Sequence, residues 1–500
     1  MKNKHMYKKD SGILLHISSL PSNGGIGSLG KSAYNFVDFL ERTKQSYWQI
    51  LPLTPCGKGC SPYFSDSAFA GNTMLIDLEN LAEHGIIDEK DIKKIPNFST
   101  AKADRFMQEK ENVLRKAYNN KEKLLDNHNN EYSFFLSEHN WWLHNYAIFK
   151  SIKNELFDSH WNTWPKELME CNPEAIQYIE LTLAKQIEYE KFKQFIFYWQ
   201  WYKLKKYAND KGIQIFGDIP LYISDDSADT WLNKHLFLLD HQGRKTMVAG
   251  VPPDYFSKDG QLWGNPLYDW NNHSKDDYSW WMARLRFNLH MYDIVRLDHF
   301  RGLDACWAVD VNEGTAKNGQ WLPAHGDAIL SKLRFEQGNL NIVAEDLGSI
   351  SNEVRGMMSR YNLRGMKVFQ FGFLSNEENE HLMHNLDYYC IAYSGTHDNH
   401  TLRGWADKIK GDEKELASKY YNLSSASVVR NILSNIYASN AQTVIIPIQD
   451  FMGLGDRARM NIPGNASGNW TWRITQKELC SKNLEKQILD LTVNYNRARR

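Results

Sequence analysis

Eight short, almost unbroken apolar runs set the limits on what this chain can become: GILLHI (12–17), YWQILPL (47–53), IQIFGDI (213–219), YDIVRLD (292–298), NIVAEDL (341–347), MKVFQFG (366–372), YCIAYSG (389–395) and TVIIPIQ (443–449). A strand with one face in water alternates apolar and polar residues. A strand covered on both faces does not, because both sets of side chains meet protein. Helical periodicity separates several of these runs. Residues 187–209 place Phe192, Phe195, Ile196, Trp199, Tyr202 and Tyr207 on one broad stripe, and 31–41, 279–290, 326–337 and 428–438 are similar. Doubly covered strands joined by helices predict an α/β fold, a (β/α)8 TIM barrel, with a doubly wound open sheet as the rival. At 500 residues the chain accommodates a single barrel spanning 1–500 with insertions. Residues 85–186 break the alternation: they are charged, Asn-rich and helical in pattern, with Trp141, Trp142, Trp161 and Trp164 close together. They are expected to form a helical subdomain inserted between the second and third strands.

Composition narrows the partners. Lys+Arg 59 against Asp+Glu 60 leaves a net charge of −1, unlike the basic surfaces that nucleic acid or anionic membranes select, so neither is expected as a partner. No run approaches the ~18 apolar residues of a membrane span. The basic N-terminal MKNKHMYKKD is followed by no apolar stretch of signal-peptide length. Cysteines at 56, 60, 171, 306, 390 and 480 are thinly scattered, which reads as reduced thiols in a cytoplasmic protein. Cys56 and Cys60 lack a second clustered pair, and His397 and His400 lack further ligands, so no metal and no cofactor are expected. The 17 Trp, 25 Tyr and 23 Phe suit either a large core or a long cleft lined with flat rings.

One segment imitates a nucleotide site. GIGSLGKS (25–32) fits G-x-x-x-x-G-K-[ST], and Gly25, Gly27 and Gly30 fit G-x-G-x-x-G. A phosphate loop follows its strand directly, whereas SSLPSNG intervenes here. A dinucleotide site wants an acid at the end of the next strand, which here reads LPLTP. A Gly-rich turn feeding a helix is the preferred reading, and a P-loop NTPase stays a remote alternative.

The carboxylates point elsewhere. Asp298 closes YDIVRLD, Glu345 closes NIVAE, and Asp398 follows YCIAYSG, at intervals of 47 and 53 residues. In a barrel the C-terminal strand ends converge on one mouth, so residues this far apart become neighbours. Paired carboxylates suit glycosidic chemistry: one attacks or stabilises the anomeric carbon while a protonated one donates to the leaving oxygen. Arg296 and His299 flank Asp298, and His397 precedes Asp398. Each acid alone has a plainer reading as a helix cap or surface ion pair.

RLDHFRG (296–302), AEDLG (344–348) and THDN (396–399) resemble the strand-end motifs of the α-amylase clan. SPYFSDSAFAGN (61–72), GDIPLYIS (217–224), DSADTW (226–231), VAGVPPDYFSKDGQLWGNPLYDW (248–270) and RMNIPG followed by GNWTWR (459–473) narrow the resemblance to the amylomaltase, or 4-α-glucanotransferase, family, glycoside hydrolase family 77. The resemblance spans about 11–473 apart from 85–186. It implies a (β/α)8 barrel with inserted subdomains and no separate C-terminal β-domain. It makes Asp298 the nucleophile, Glu345 the general acid/base and Asp398 a third carboxylate that holds ring hydroxyls. It puts Ser61, Tyr63, Asp218, Arg296, His299 and His397 around the sugar. It places Phe256 and Trp263 on an acceptor-side loop, and Asn461 and Pro463 on a facing C-terminal loop. Segments 54–84, 225–275 and 450–473 then become a substrate-side loop, an acceptor-side subdomain and a C-terminal active-site loop. The implied partners are α-1,4-glucans and maltooligosaccharides; oligomeric state stays open. CGKGC before Ser61, Leu297, Phe64 and Asp66 depart from the family pattern on the donor side. Both a retaining α-1,4-glucan hydrolase and a non-catalytic starch-binding protein remain as alternatives.

Overall fold

The computed structural model describes residues 8–57, 60–99, 102–253, 257–465 and 467–499. Its centre is an eight-stranded, wholly parallel sheet built from β1 (Asp10–Leu14), β2 (Tyr47–Gln49), β3 (Gln214–Ile219), β6 (Ile294–Leu297), β9 (Ile342–Ala344), β10 (Gly365–Val368), β11 (Cys390–Tyr393) and β12 (Thr443–Pro447). Chain order and spatial order agree around the ring, from β1 through to β12, which pairs back onto β1. A parallel bridge between Val343 and Arg364 and the Ala344 N–H donating to the Arg364 carbonyl link β9 to β10 and close the barrel. Each of the eight apolar runs contains or overlaps one of these strands, with β1 and β10 starting just ahead of theirs.

The strands are shorter than the runs. YWQILPL is strand only over Tyr47–Gln49, MKVFQFG turns into a 3₁₀ segment at Phe369–Phe373, and TVIIPIQ turns helical at Ile448–Phe451. Pairing stops at the barrel mouth, but the chain stays buried beneath its loops, so Leu51, Leu53, Phe369 and Ile448 remain apolar without continuing the ladder. Apolar run length reports burial, not hydrogen bonding.

Helices cover the outside: α1 (Lys31–Arg42), α4 (Ala184–Asp210), α5 (Ser279–Met291), α6 (Gly326–Gln337), α7 (Asn352–Arg360), α8 (Val428–Ala438) and α9 (Lys482–Asn494). Leu14, Phe216, Ile294, Val343, Met366, Ile391, Tyr393 and Ile445 form one cluster, while Ile13, Ile215, Val295, Ile342, Ala392 and Val444 belong to the larger one shared with the helices. The two sets alternate along each strand, as period-2 side chains of a barrel must.

Two additions shape the mouth. Helices α2 (Ala103–Asn119) and α3 (Glu122–Glu155) stand between β2 and β3 and pack on α4. A second, antiparallel sheet of order β5-β4-β7-β8 combines β4 (Met247–Val251) and β5 (Gln261–Pro266) from the connection after β3 with β7 (Ala305–Asp310) and β8 (Gly319–Pro323) from the connection after β6. The sequence suggests an insert at 225–275, but residues 305–323 supply the other half of this sheet. Its strands are short and mixed in polarity, and they lack the apolar continuity that betrays the barrel strands.

Candidate active site

Alternation along the barrel strands decides which polar residues reach the axis. Phe216 and Ile294 pack inward, so Asp218 and Arg296, two residues on, follow them toward the mouth, and Asp298 comes next on the same parity. Val343 packs inward, and Glu345 is two residues beyond it. The register pairs Asp218 with Arg296 and Leu297 with Ala344, so Asp298 and Glu345 leave adjacent strands at the same height. The backbone holds them there: the Asp298 N–H donates to the Ile219 carbonyl at 2.9 Å and the Glu345 N–H to the Leu297 carbonyl at 3.1 Å.

Arg296 organises the acidic side chains. Its Nη1 reaches both oxygens of Asp218 at 2.9 and 2.8 Å, and its Nη2 lies 2.7 Å from Asp298 Oδ1. Burial pushes the Asp218 carboxyl up, while Arg296 and the Tyr63 hydroxyl, which donates to Asp218 Oδ2 at 2.6 Å, pull it back. Glu345 has a different environment. Burial pushes its carboxyl up to about 8, the negative charges of Asp298 and Asp346 add to this, and Arg296 and the His299 N–H oppose it. That N–H donates to Glu345 Oε2 at 2.8 Å, and the Leu347 N–H donates to Oε1 at 3.2 Å. His299 takes a left-handed backbone, φ +48°, which turns its amide back onto Glu345. Burial lowers its imidazole to about 4, so the ring is neutral, and its Nε2 atom is buried without a hydrogen-bond partner.

The opposite wall comes from the loops after β2, β11 and β12. Tyr63 stacks on His397 with ring centroids 5.0 Å apart, and Trp470 lies tilted against both, at 6.1 and 5.8 Å. Asp398 Oδ1 accepts from Asn461 Nδ2 at 2.6 Å and lies 3.3 Å from His397 Nε2. Burial opposes the charge on Asp398, but His397, Asn461 and Arg296 together hold its carboxyl down to about 2. Trp263, on β5, meets His299 edge-on at 4.7 Å. The Tyr63 N–H donates to Ser61 Oγ at 3.3 Å. Pro463 lies exposed on the loop beyond Asn461. Phe256 lies outside the described residues.

Ten residues marked in the sequence therefore converge: Tyr63, Asp218, Trp263, Arg296, Asp298, His299, Glu345, His397, Asp398 and Asn461. Trp470 was not singled out, although it lies in the quoted GNWTWR string; nothing in the spacing says that its ring would meet Tyr63 and His397. Among the described residues no group of three or more His, Cys, Asp or Glu is arranged to hold a metal ion.

The Gly25–Ser32 segment lies in the connection from β1 into the start of α1. It is separated from β1 by a 3₁₀ turn at Ile17–Ser19, and it leads into α1 with Gly30 at the N-cap. A methyl group at Gly30 would sit 2.0 Å from Asp77 Oδ2, and the Ser28 hydroxyl donates to that oxygen at 2.7 Å. A carboxylate lies against the glycine that a phosphate would have to approach, which opposes the nucleotide reading.

The glycoside hydrolase 77 family model, described as 4-alpha-glucanotransferase, matches residues 15–478. The chain is 41% identical over 498 residues to a 4-alpha-glucanotransferase of Streptococcus pneumoniae, covering 98% of each chain. It is 41% identical over 487 residues to that of Aquifex aeolicus, covering 96% of this chain and 98% of the relative. The structure resembles the amylomaltase from Streptococcus agalactiae in complex with acarbose, with a TM-score of 0.93, 38% identity, and 98% and 100% of the two chains covered.

Proposed function

The chain belongs to the glycoside hydrolase 77 family and is a 4-α-glucanotransferase, and we propose that it works by double displacement between Asp298 and Glu345. In the first step Asp298 attacks the anomeric carbon of an α-1,4-linked glucose. The C1–O4 bond breaks, and Glu345 gives its proton to the departing 4-oxygen. In the second step Glu345 takes the proton from the 4-hydroxyl of glucose or of another glucan, and that oxygen displaces Asp298 from C1. Two inversions give net retention.

One observation carries this reading: two carboxylates at matching height on adjacent strands have opposite surroundings. Asp298 contacts the Arg296 guanidinium at 2.7 Å, whereas burial raises Glu345 to about 8. One is furnished as a nucleophile and the other as an acid that keeps its proton at neutral pH. Neighbouring strands lie ~4.8 Å apart, which suits the ~5–5.5 Å carboxylate separation of retaining enzymes. Asp398 and Asp218 remain as acceptors for ring hydroxyls, with His299 and His397 as further polar contacts. Tyr63 would stack under the sugar and Trp263 would meet the acceptor.

The substrates proposed are α-1,4-glucans and maltooligosaccharides, with Ser61, Phe256 and Pro463 as further contacts and neither nucleic acid nor membrane as a partner. We place the protein in the cytoplasm, a reading supported by six cysteines that are all free thiols. Among the described residues no helix is long and apolar enough to cross a membrane. Hydrolysis and transfer use the same carboxylates and differ in the second acceptor. Incubation with maltotriose separates them: glucose and longer maltooligosaccharides at constant total reducing ends mean transfer, and one new reducing end per bond cut means hydrolysis. A glucan-binding protein without catalysis would leave the maltotriose unchanged.

A further inference from the structure

Asp398 and Asn461 sit on loops from different strand ends, after β11 and after β12, yet their side chains meet at 2.6 Å. One residue ties the two backbones together. Arg459 Nη2 donates to the Asp398 carbonyl, and its Nε donates to the Asn461 carbonyl at 2.8 Å. The Asn461 N–H closes the loop pair by donating to the His397 carbonyl at 3.0 Å. Arg459 Nη1 lies 3.3 Å from His400 Nδ1, a ring nitrogen that is also 2.5 Å from Asp456 Oδ2. The guanidinium thus contacts the carbonyls of the two residues whose side chains meet between these loops. The backbone around Arg459 is itself held, since the Trp470 N–H donates to the Met460 carbonyl at 2.7 Å and the Ser19 hydroxyl contacts the Met460 sulfur at 3.5 Å.

We propose that Arg459 is a positioning residue for the transfer reaction, a clasp between the loops after β11 and β12 that sets the direction of the Asp398 carboxylate. The proposal rests on the reading of Asp398 as the third carboxylate of the site. The planar fork of arginine spans both carbonyls with fixed geometry, whereas a lysine ammonium is one compact donor and satisfies one of them. Without the clasp Asn461 and Asp398 drift apart, and Asp398 loses both its backbone anchor and its amide partner. A displacement of about 1 Å at such a group costs on the order of a hundredfold in rate. The loss falls on kcat more than on KM, because contacts to a distorted sugar strengthen toward the transition state.

The test compares Arg459→Met, Arg459→Lys, Asp398→Asn and the Arg459→Met/Asp398→Asn double variant in maltotriose disproportionation, with thermal melting of each. Arg459→Met is expected to lower kcat about 30- to 100-fold with KM within about threefold and melting within about 3 °C of the parent. Arg459→Lys should recover part of the loss. In the Asp398→Asn background Arg459→Met should cost less than about twofold, since the group through which it acts is already gone. If Arg459→Met fails to fold, Arg459→Lys takes its place in the same cycle. A Met variant that keeps half of the parental kcat overturns the proposal, and so does a double variant whose losses multiply in full. Full turnover by Asp398→Asn alone would instead overturn the role given to Asp398.

Discussion

Glu345 carries the clearest link between environment and behaviour. Bond cleavage needs its proton, so kcat/KM for maltotriose should fall about tenfold per pH unit above about 8, and Asp298→Asn should lose transfer and hydrolysis together by about a thousandfold or more. The same raised acidity has a stability consequence. In the unfolded chain a Glu carboxyl titrates near ~4.3. Between there and about 8 the native state keeps a proton that the unfolded state has lost, so unfolding becomes easier as pH rises through that window. Glu345→Gln, which removes the titration, should therefore melt higher than the parent at pH 8 and close to it at pH 4. A lower melting temperature at pH 8 would contradict the burial assigned to this group. Much of the site was legible at this scale because strand-end acids follow the inward parity of apolar residues two positions earlier, as Glu345 follows Val343. Arg459 and Trp470 were not legible: apart from the nearby Asn461 carbonyl, the contacts that matter are the Asp398 carbonyl and the Tyr63 and His397 rings, all more than sixty residues away, and no local pattern announces them.

Among the elements, the helical insertion acts on the site through the loop that carries Tyr63. Lys150 on α3 donates to Asp66 Oδ2 at 2.7 Å, and Lys110 on α2 donates to the Met74 and Ile76 carbonyls. From α4, Gln194 exchanges hydrogen bonds with the Gly71 backbone, and Gln200 with the Asp77 backbone. Lys150→Met removes one brace and leaves Asp66 partly buried without its cation. It should cost about 2 kcal/mol and raise KM for maltotriose several-fold with a smaller change in kcat, as measured by thermal melting and initial rates. Unchanged KM would separate the insertion from substrate binding. The eight barrel strands were readable from apolar continuity alone, and helices such as Gly326–Gln337 and Val428–Ala438 from periodicity. The antiparallel sheet was not readable, because β7 pairs with β4 from an earlier connection and its residues carry no record of that pairing.

Over the whole molecule, closure of the ring turns distant acids into a pair, and the far end of the barrel is latched separately. Arg497, fully buried, donates from Nε to the Tyr437 carbonyl at 2.7 Å, from Nη1 to Ala441 at 2.9 Å and from Nη2 to Ser439 at 2.9 Å, with the Asp10 carbonyl at 3.3 Å. It joins the C-terminal segment to the entrances of β12 and β1, the face of a barrel that serves stability and not chemistry. Arg497→Met should thus lower the melting temperature by the loss of about 3 kcal/mol or more while leaving kcat at 25 °C unchanged; a fall in kcat without loss of stability would contradict that division. What the ring achieves is the meeting of Asp298 and Glu345 on neighbouring strands around a bound glucose. Covalent trapping examines this most directly: incubation with a 5-fluoro-α-glycosyl fluoride, then digestion and peptide mass spectrometry. A glycosyl adduct on Asp298, absent from the Asp298→Asn variant, is the predicted result. An adduct on Glu345 or Asp398, or full turnover of the Asp298→Asn variant, would contradict it.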